Sequence, residues 1–155
     1  RAFPRVRIAQ LAALLKKSGR LFSSILEKED YKQLRLHFQV ETSSYWHTHY
    51  SFGKESVKSC KYLGESSFNV ILINTVVPML FAYGRKTGQD KYCDRAMHIL
   101  ESVKPERNAI VAEFTASGIS LFNAFDSQAL IQLRREYCDK RKCLYCKIGY
   151  HILAR

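Results

Sequence analysis

The stretch SSFNVILINTVVPMLFAYG, residues 66–84, carries no charge over nineteen positions, and its reading decides the fold. Its length approaches the roughly 20 apolar residues that span a bilayer. Against a span, Ser66, Ser67, Asn69, Asn74 and Thr75 break the apolar run, Pro78 interrupts it, and no second span follows. The β-branched content of Val70 to Ile73 suggests a strand, yet no second alternating run exists to pair with it. The reading that remains is a buried central helix, kinked at Pro78 and ended by Gly84 and Gly88, with no membrane partner.

Helices are expected on both sides of it. Upstream, Ile8, Leu11, Ala12 and Leu15 recur at helical spacing, with Lys16 and Lys17 in the last turn and Gly19 beyond. A short helix carrying Phe22, Ile25 and Leu26 follows. Asp30 then caps a third, which turns Tyr31, Leu34 and Phe38 inward. Residues 42–53 are aromatic and polar and point to no one conformation, and 54–65 reads as a loop.

Downstream, Asp90 caps a helix with Cys93, Ala96, Met97 and Leu100 inside, stopped by Pro105. Another runs from about Glu106 to Ala116. A last one, capped by Asp126 or Ser127, buries Ala129, Leu130, Leu133 and Tyr137. The expected fold is all-α, an irregular bundle of about six to eight helices in a single domain over residues 1–155. At 155 residues, with 46% hydrophobic composition, one core is possible, and neither a disordered tail nor a disulfide miniprotein fits.

Lys and Arg number 25 against 14 Asp and Glu, a net charge of +11, which draws in polyanions such as nucleic acid. A basic surface with no such role is the alternative. Five cysteines, three of them within nine residues, do not resemble a disulfide framework, so a reducing cytoplasm is expected. The sequence opens on Arg1 without initiator Met or leader, so it is expected to be the C-terminal fragment of a longer protein.

The sharpest chemical signal is Cys138-Asp-Lys-Arg-Lys-Cys143-Leu-Tyr-Cys146, followed by His151. A Cys-x2-Cys pair lets two thiolates meet one zinc ion at tetrahedral angles, and neighbouring cations favour the thiolates. Zinc or an iron–sulfur cluster are the cofactors this set would take. Equally, the cysteines can be small core residues and His151 a surface side chain.

The same segment holds Arg134, Arg135, Lys140, Arg141, Lys142 and Lys147, with Tyr137, Tyr145 and Tyr150 interleaved. Phosphate contacts with aromatic stacking suit that pattern, whereas a solvated helix end complementing its own dipole is the plainer account. His47 and His49 beside Trp46 can serve as ligands or acid/base groups if a strand puts them on one face, which a helix does not, and His98 near Glu101 reads as an ordinary helix-surface residue. No phosphate loop, nucleophile elbow, zinc-protease motif or kinase signature is found, so nothing points to catalysis in this chain.

Five stretches together resemble the C-terminal part of a bacterial family, domain of unknown function 2851, common in Bacteroidetes. They are FPRVRIAQLAALL (3–15), YWHTHYSFGK (45–54), NTVVPMLFAYG (74–84), NAFDSQALIQL (123–133) and YCDKRKCLYCKIG (137–149). The resemblance implies a region ahead of Arg1 that would be a partner of this one. It also implies that Cys138, Cys143 and Cys146 match the family's cysteine segment, and it carries nothing over to His151. LIQLRREYCDKRKCLYC (130–146) is also similar to the end of helical base-excision DNA glycosylases, which carry a four-cysteine iron–sulfur loop. Here the first gap is shorter and the fourth cysteine is absent.

The sequence therefore predicts a helical module that binds nucleic acid or another polyanion through its basic C-terminal segment. A domain of a larger nucleic-acid-processing enzyme with a Cys-rich metal site is the alternative, and a purely structural interaction domain is another.

Overall fold

In a computed structural model that describes residues 4–153, the chain is all-α apart from one two-stranded hairpin. Arg1 and Phe3, with which the sequence and its first familiar stretch open, lie outside the described residues. The chain divides into two compact units, Arg1–Ala96 and Met97–Arg155.

The first unit holds α1 (Pro4–Ser18), α2 (Leu21–Glu27), α3 (Tyr31–Phe38), α4 (Ser44–His47), β1 (His49–Ser51), β2 (Lys54–Glu55), α5 (Glu65–Ile71), α6 (Val77–Thr87) and the start of α7 (Asp90–Ser102). Pro4 opens α1, where its missing N–H costs nothing. Gly19, at φ +59°, ends α1 in the left-handed conformation that a side chain disfavours. Asp30 caps α3 as expected, its carboxylate accepting from the Gln33 N–H at 2.8 Å.

The face of α1 differs from the one periodicity suggests. Val6, Gln10 and Leu14 are buried, whereas Ile8, Leu11 and Leu15 are exposed. Both sets recur at helical spacing, and packing rather than pattern selects between them. Over residues 49–55, running into the stretch read as a loop, the hairpin pairs His49 with Glu55 and Ser51 with Lys54. Its two short strands are joined by a turn in which Gly53 has φ +68°.

The uncharged stretch is helical without interruption over Glu65–Thr87, 23 residues long and apolar enough to cross a bilayer by length and composition. Pro78 does not break it. The helix widens instead into a π-turn over Leu72–Val76, with the Val77 N–H donating to the Leu72 carbonyl five residues back. Burial is one-sided rather than all-round: Phe68, Leu72, Val76 and Leu80 face inward, and Val70, Asn74 and Phe81 are exposed. The Phe68 ring meets Phe38 at 5.4 Å and Tyr31 at 5.5 Å, and Leu34 completes this core. Full burial of each such side chain contributes roughly 1.5–3 kcal/mol.

Gly84 does not end α6. It lies inside that helix, where a β-carbon would fall 2.8 Å from the Cys93 sulfur, so glycine permits the close approach of α7. Gly88, at φ +66°, is the terminator.

The second unit holds the end of α7, then α8 (Ala109–Ala116), α9 (Ala124–Leu133), a π-turn (Arg134–Cys138), a 3-10 turn (Cys143–Tyr145) and α10 (Lys147–Leu153). Its caps are asparagines. Asn108 starts α8, three residues later than expected, by accepting from the Val111 N–H at 2.9 Å. Asn123, not Asp126 or Ser127, caps α9 by accepting from the Asp126 N–H at 3.0 Å. Ser127 is instead fully buried and accepts from the Glu106 N–H at 3.1 Å. The Ala124 N–H donates to the Val103 carbonyl at 2.7 Å, fastening α9 to the end of α7.

Candidate nucleic-acid interface and cysteine cluster

The basic segment begins where α9 turns π-helical, and the Asp139 N–H closes that turn on the Arg134 carbonyl at 2.8 Å. The chain then reverses through Arg141, the one non-glycine residue at positive φ (+53°) among those described. The N–H of Arg141 donates to the Cys138 carbonyl at 3.0 Å, and that of Lys142 to the Tyr137 carbonyl at 2.9 Å. These bonds satisfy carbonyls that a helix end leaves open, at the cost of about 1–2 kcal/mol for a side chain in the left-handed region. Glycine is the usual occupant of such a position.

The six cations fall into two classes. The Arg134 guanidinium is clamped by two carboxylates, its Nε 2.7 Å from Asp139 Oδ1 and one terminal nitrogen 2.8 Å from Glu113 Oε2. Those contacts raise its pKa, the Asp139 hydrogen bond most. Lys140 donates to Glu136 one helical turn back, which holds the Glu136 carboxyl below its ordinary value. Arg135, Arg141, Lys142 and Lys147 are exposed and form no ion pair with any described carboxylate. Tyr145 is 84% exposed, and Tyr150 is exposed as well, whereas Tyr137 is half-buried.

Cys138, Cys143 and Cys146 all border one apolar cavity of about 250 Å³, together with Leu133, Tyr137 and Ile148. His151, on the exposed α10, does not line it. All five cysteines are free. Among the described residues no group of three or more His, Cys, Asp or Glu side chains stands close enough to hold a metal ion. The donor set as placed therefore does not fit a zinc or iron–sulfur centre, which needs its ligands converged on one point.

The other histidines behave as structural residues. His49 stacks on Tyr45 at 4.0 Å, and His47 Nε2 lies 3.4 Å from Glu41. His98 meets Glu101 at 3.1 Å on an exposed helix face. Two features escaped the sequence: the left-handed turn at Arg141, which no local glycine marks, and the close seat of Gly149 against Cys143.

What fold and site define is a helical protein with a cationic, aromatic C-terminal surface. The family model described as Protein of unknown function (DUF2851) matches residues 1–109, and the chain belongs to that family. The match ends at the start of α8, ahead of the basic and cysteine-bearing segment. No curated protein matches the chain, and no solved structure does.

Proposed function

We propose that the C-terminal unit binds single-stranded nucleic acid through Arg135, Arg141, Lys142 and Lys147, with Tyr145 as the base-stacking platform. The observation that carries this reading is the division of the cluster. Arg134 and Lys140 are committed to carboxylates, while the other four cations have no acidic partner among the described residues and flank the exposed Tyr145 in the sequence. Aromatic stacking contributes about 1–3 kcal/mol per base, and unpaired cations supply the phosphate contacts. An exposed ring can stack on an unpaired base but not on one held in a duplex, so a flexible single strand suits the surface.

The test is fluorescence anisotropy with labelled single-stranded DNA and RNA across a salt series. Four phosphate contacts give a slope of log K against log salt of about −3. Tyr145→Ala should weaken binding about tenfold or more with the slope unchanged, whereas Lys142→Ala should make the slope shallower by about 0.7. Salt-independent binding, or none at low ionic strength, would overturn the reading.

A second reading is a metal-stapled domain of a nucleic-acid-processing enzyme. One observation favours it: the three thiols border the same cavity. Metal analysis of the purified chain separates the two.

A further inference from the structure

We propose that the N-terminal unit binds a single-chain amphiphilic anion, its tail in the apolar cavity beneath α1 and its head group between Arg7 and Lys61. The cavity measures about 520 Å³, within the range of about 300–1,000 Å³ typical of small-molecule sites. Leu14, Ile25, Phe38 and Val76 form its inner wall, and among the described residues Arg7, Gln10 and Thr75 are its only polar side chains. Leu11 and Phe22 line it and are also exposed, so they form a mouth open to solvent. An aliphatic chain entering there would remove from water apolar surface that the fold itself leaves uncovered.

A second, polar cavity of about 210 Å³ adjoins the first. Arg7 and Gln10 line both, and Lys61, Tyr50, Tyr62 and Cys60 complete the polar one. Among the described residues no Asp or Glu lines either cavity. The Arg7 guanidinium donates to two neutral oxygens, Gln10 Oε1 at 2.8 Å and Ser67 Oγ at 2.7 Å.

Lys61 is 7% exposed, and among the described residues its ammonium meets the His47 and Ser59 carbonyls, the Ser59 hydroxyl and the Tyr50 ring face. A half-buried cation, Arg7, and a buried one, Lys61, thus share one polar chamber without a carboxylate partner among the described residues. A buried charge is costly until paired, and an anionic head group would pair these two. Carboxylate and phosphate monoester heads share the chemistry, since either accepts from a guanidinium fork. Because Arg7 borders both chambers, one ligand can reach the head site with its tail already buried.

Isothermal titration of the full-length chain with dodecanoate, dodecyl phosphate and dodecanol tests this. We expect one saturable site, with at least one of the anions bound about tenfold or more tightly than the alcohol. Arg7→Gln should reduce the anions to the level of the alcohol. Leu11→Trp, at the exposed mouth, should abolish binding of all three while the thermal melt stays cooperative. Absence of saturable binding to the natively folded chain would overturn the proposal, as it would if another part of the chain fills the cavity. So would equal affinity for the alcohol and both anions, or anion binding that survives both variants.

Discussion

The carbonyl oxygen of Cys143 lies 2.5 Å from the point where a β-carbon on Gly149 would stand, and the Cys143 Cα lies 3.0 Å from it. No rigid backbone carbonyl tolerates a methyl at that distance. Gly149 therefore lets α10 dock on the turn that carries the cysteines, and the Tyr150 N–H, donating to the Cys146 carbonyl at 2.7 Å, closes the arrangement. Gly149→Ala should displace α10 and destabilise this segment by about 1–3 kcal/mol, as overpacked sites generally are. Hydrogen exchange of residues 143–153 reports it, and unchanged protection would mean that the contact is dispensable.

The left-handed Arg141 sets stability against binding. Replacing it by glycine relieves about 1–2 kcal/mol of backbone strain, offset by the greater entropy of glycine in the unfolded chain. Arg141→Gly should leave the second unit as stable as before or slightly more so, while weakening the proposed nucleic-acid binding. Arg141→Lys keeps the charge and the strain, and should bind nearly as well as the parent. If both variants bind alike, the cation at this position has no part in recognition.

How far the sequence spoke depends on which physical signal each element rests on. Asp30 and the left-handed Gly88 are local devices, satisfied within one turn, and both were legible before any tertiary structure. The face of α1 was not, because Ile8, Leu11 and Leu15 recur with the same period as Val6, Gln10 and Leu14, and only the partner helices decide between them. Gln10 is the revealing case. Its side chain donates to the Lys61 carbonyl at 2.6 Å across 51 residues, a long-range bond that lets a polar residue occupy an inward position. Pro78 is accommodated inside the expected helix for a related reason: the π-turn before it removes the demand for an N–H that proline lacks. The basic and cysteine residues of the candidate site were visible as a cluster. Their division into paired and unpaired cations was not, because Glu113 lies 21 residues from Arg134.

Acid should weaken the first unit through His37. Its Nε2 lies 3.1 Å from Ser18 Oγ, and burial foremost, with Lys28 and Lys17 adding repulsion, holds its pKa below the ordinary 6.5. A base whose pKa is depressed on folding binds more protons when unfolded, so stability falls as pH drops from about 6.5 toward the folded value. Above that window the contribution is fully present. His37→Gln should flatten the pH dependence of urea midpoints there, keeping a polar side chain near Ser18. An unaltered profile would assign the acid sensitivity to another group.

Thiol reactivity discriminates between the two readings of the cysteine cluster. Cys60, Cys138 and Cys143 are exposed, Cys146 is half-buried, and Cys93 is buried against α6. In the native protein purified without chelator, an aromatic disulfide reagent should therefore titrate the three exposed thiols quickly and Cys146 more slowly. Cys93 should react only on unfolding. Elemental analysis should then return far less than one zinc or iron per chain. The opposite pattern is equally distinct: protection of Cys138, Cys143 and Cys146 together, lost on adding a chelator, alongside about one metal equivalent. That outcome would require the 3-10 turn and α10 to reorganise around an ion, because the thiols do not converge as they stand. It would also make Cys143→Ala far more damaging than removal of an exposed thiol, unfolding the segment rather than leaving the melt nearly unchanged.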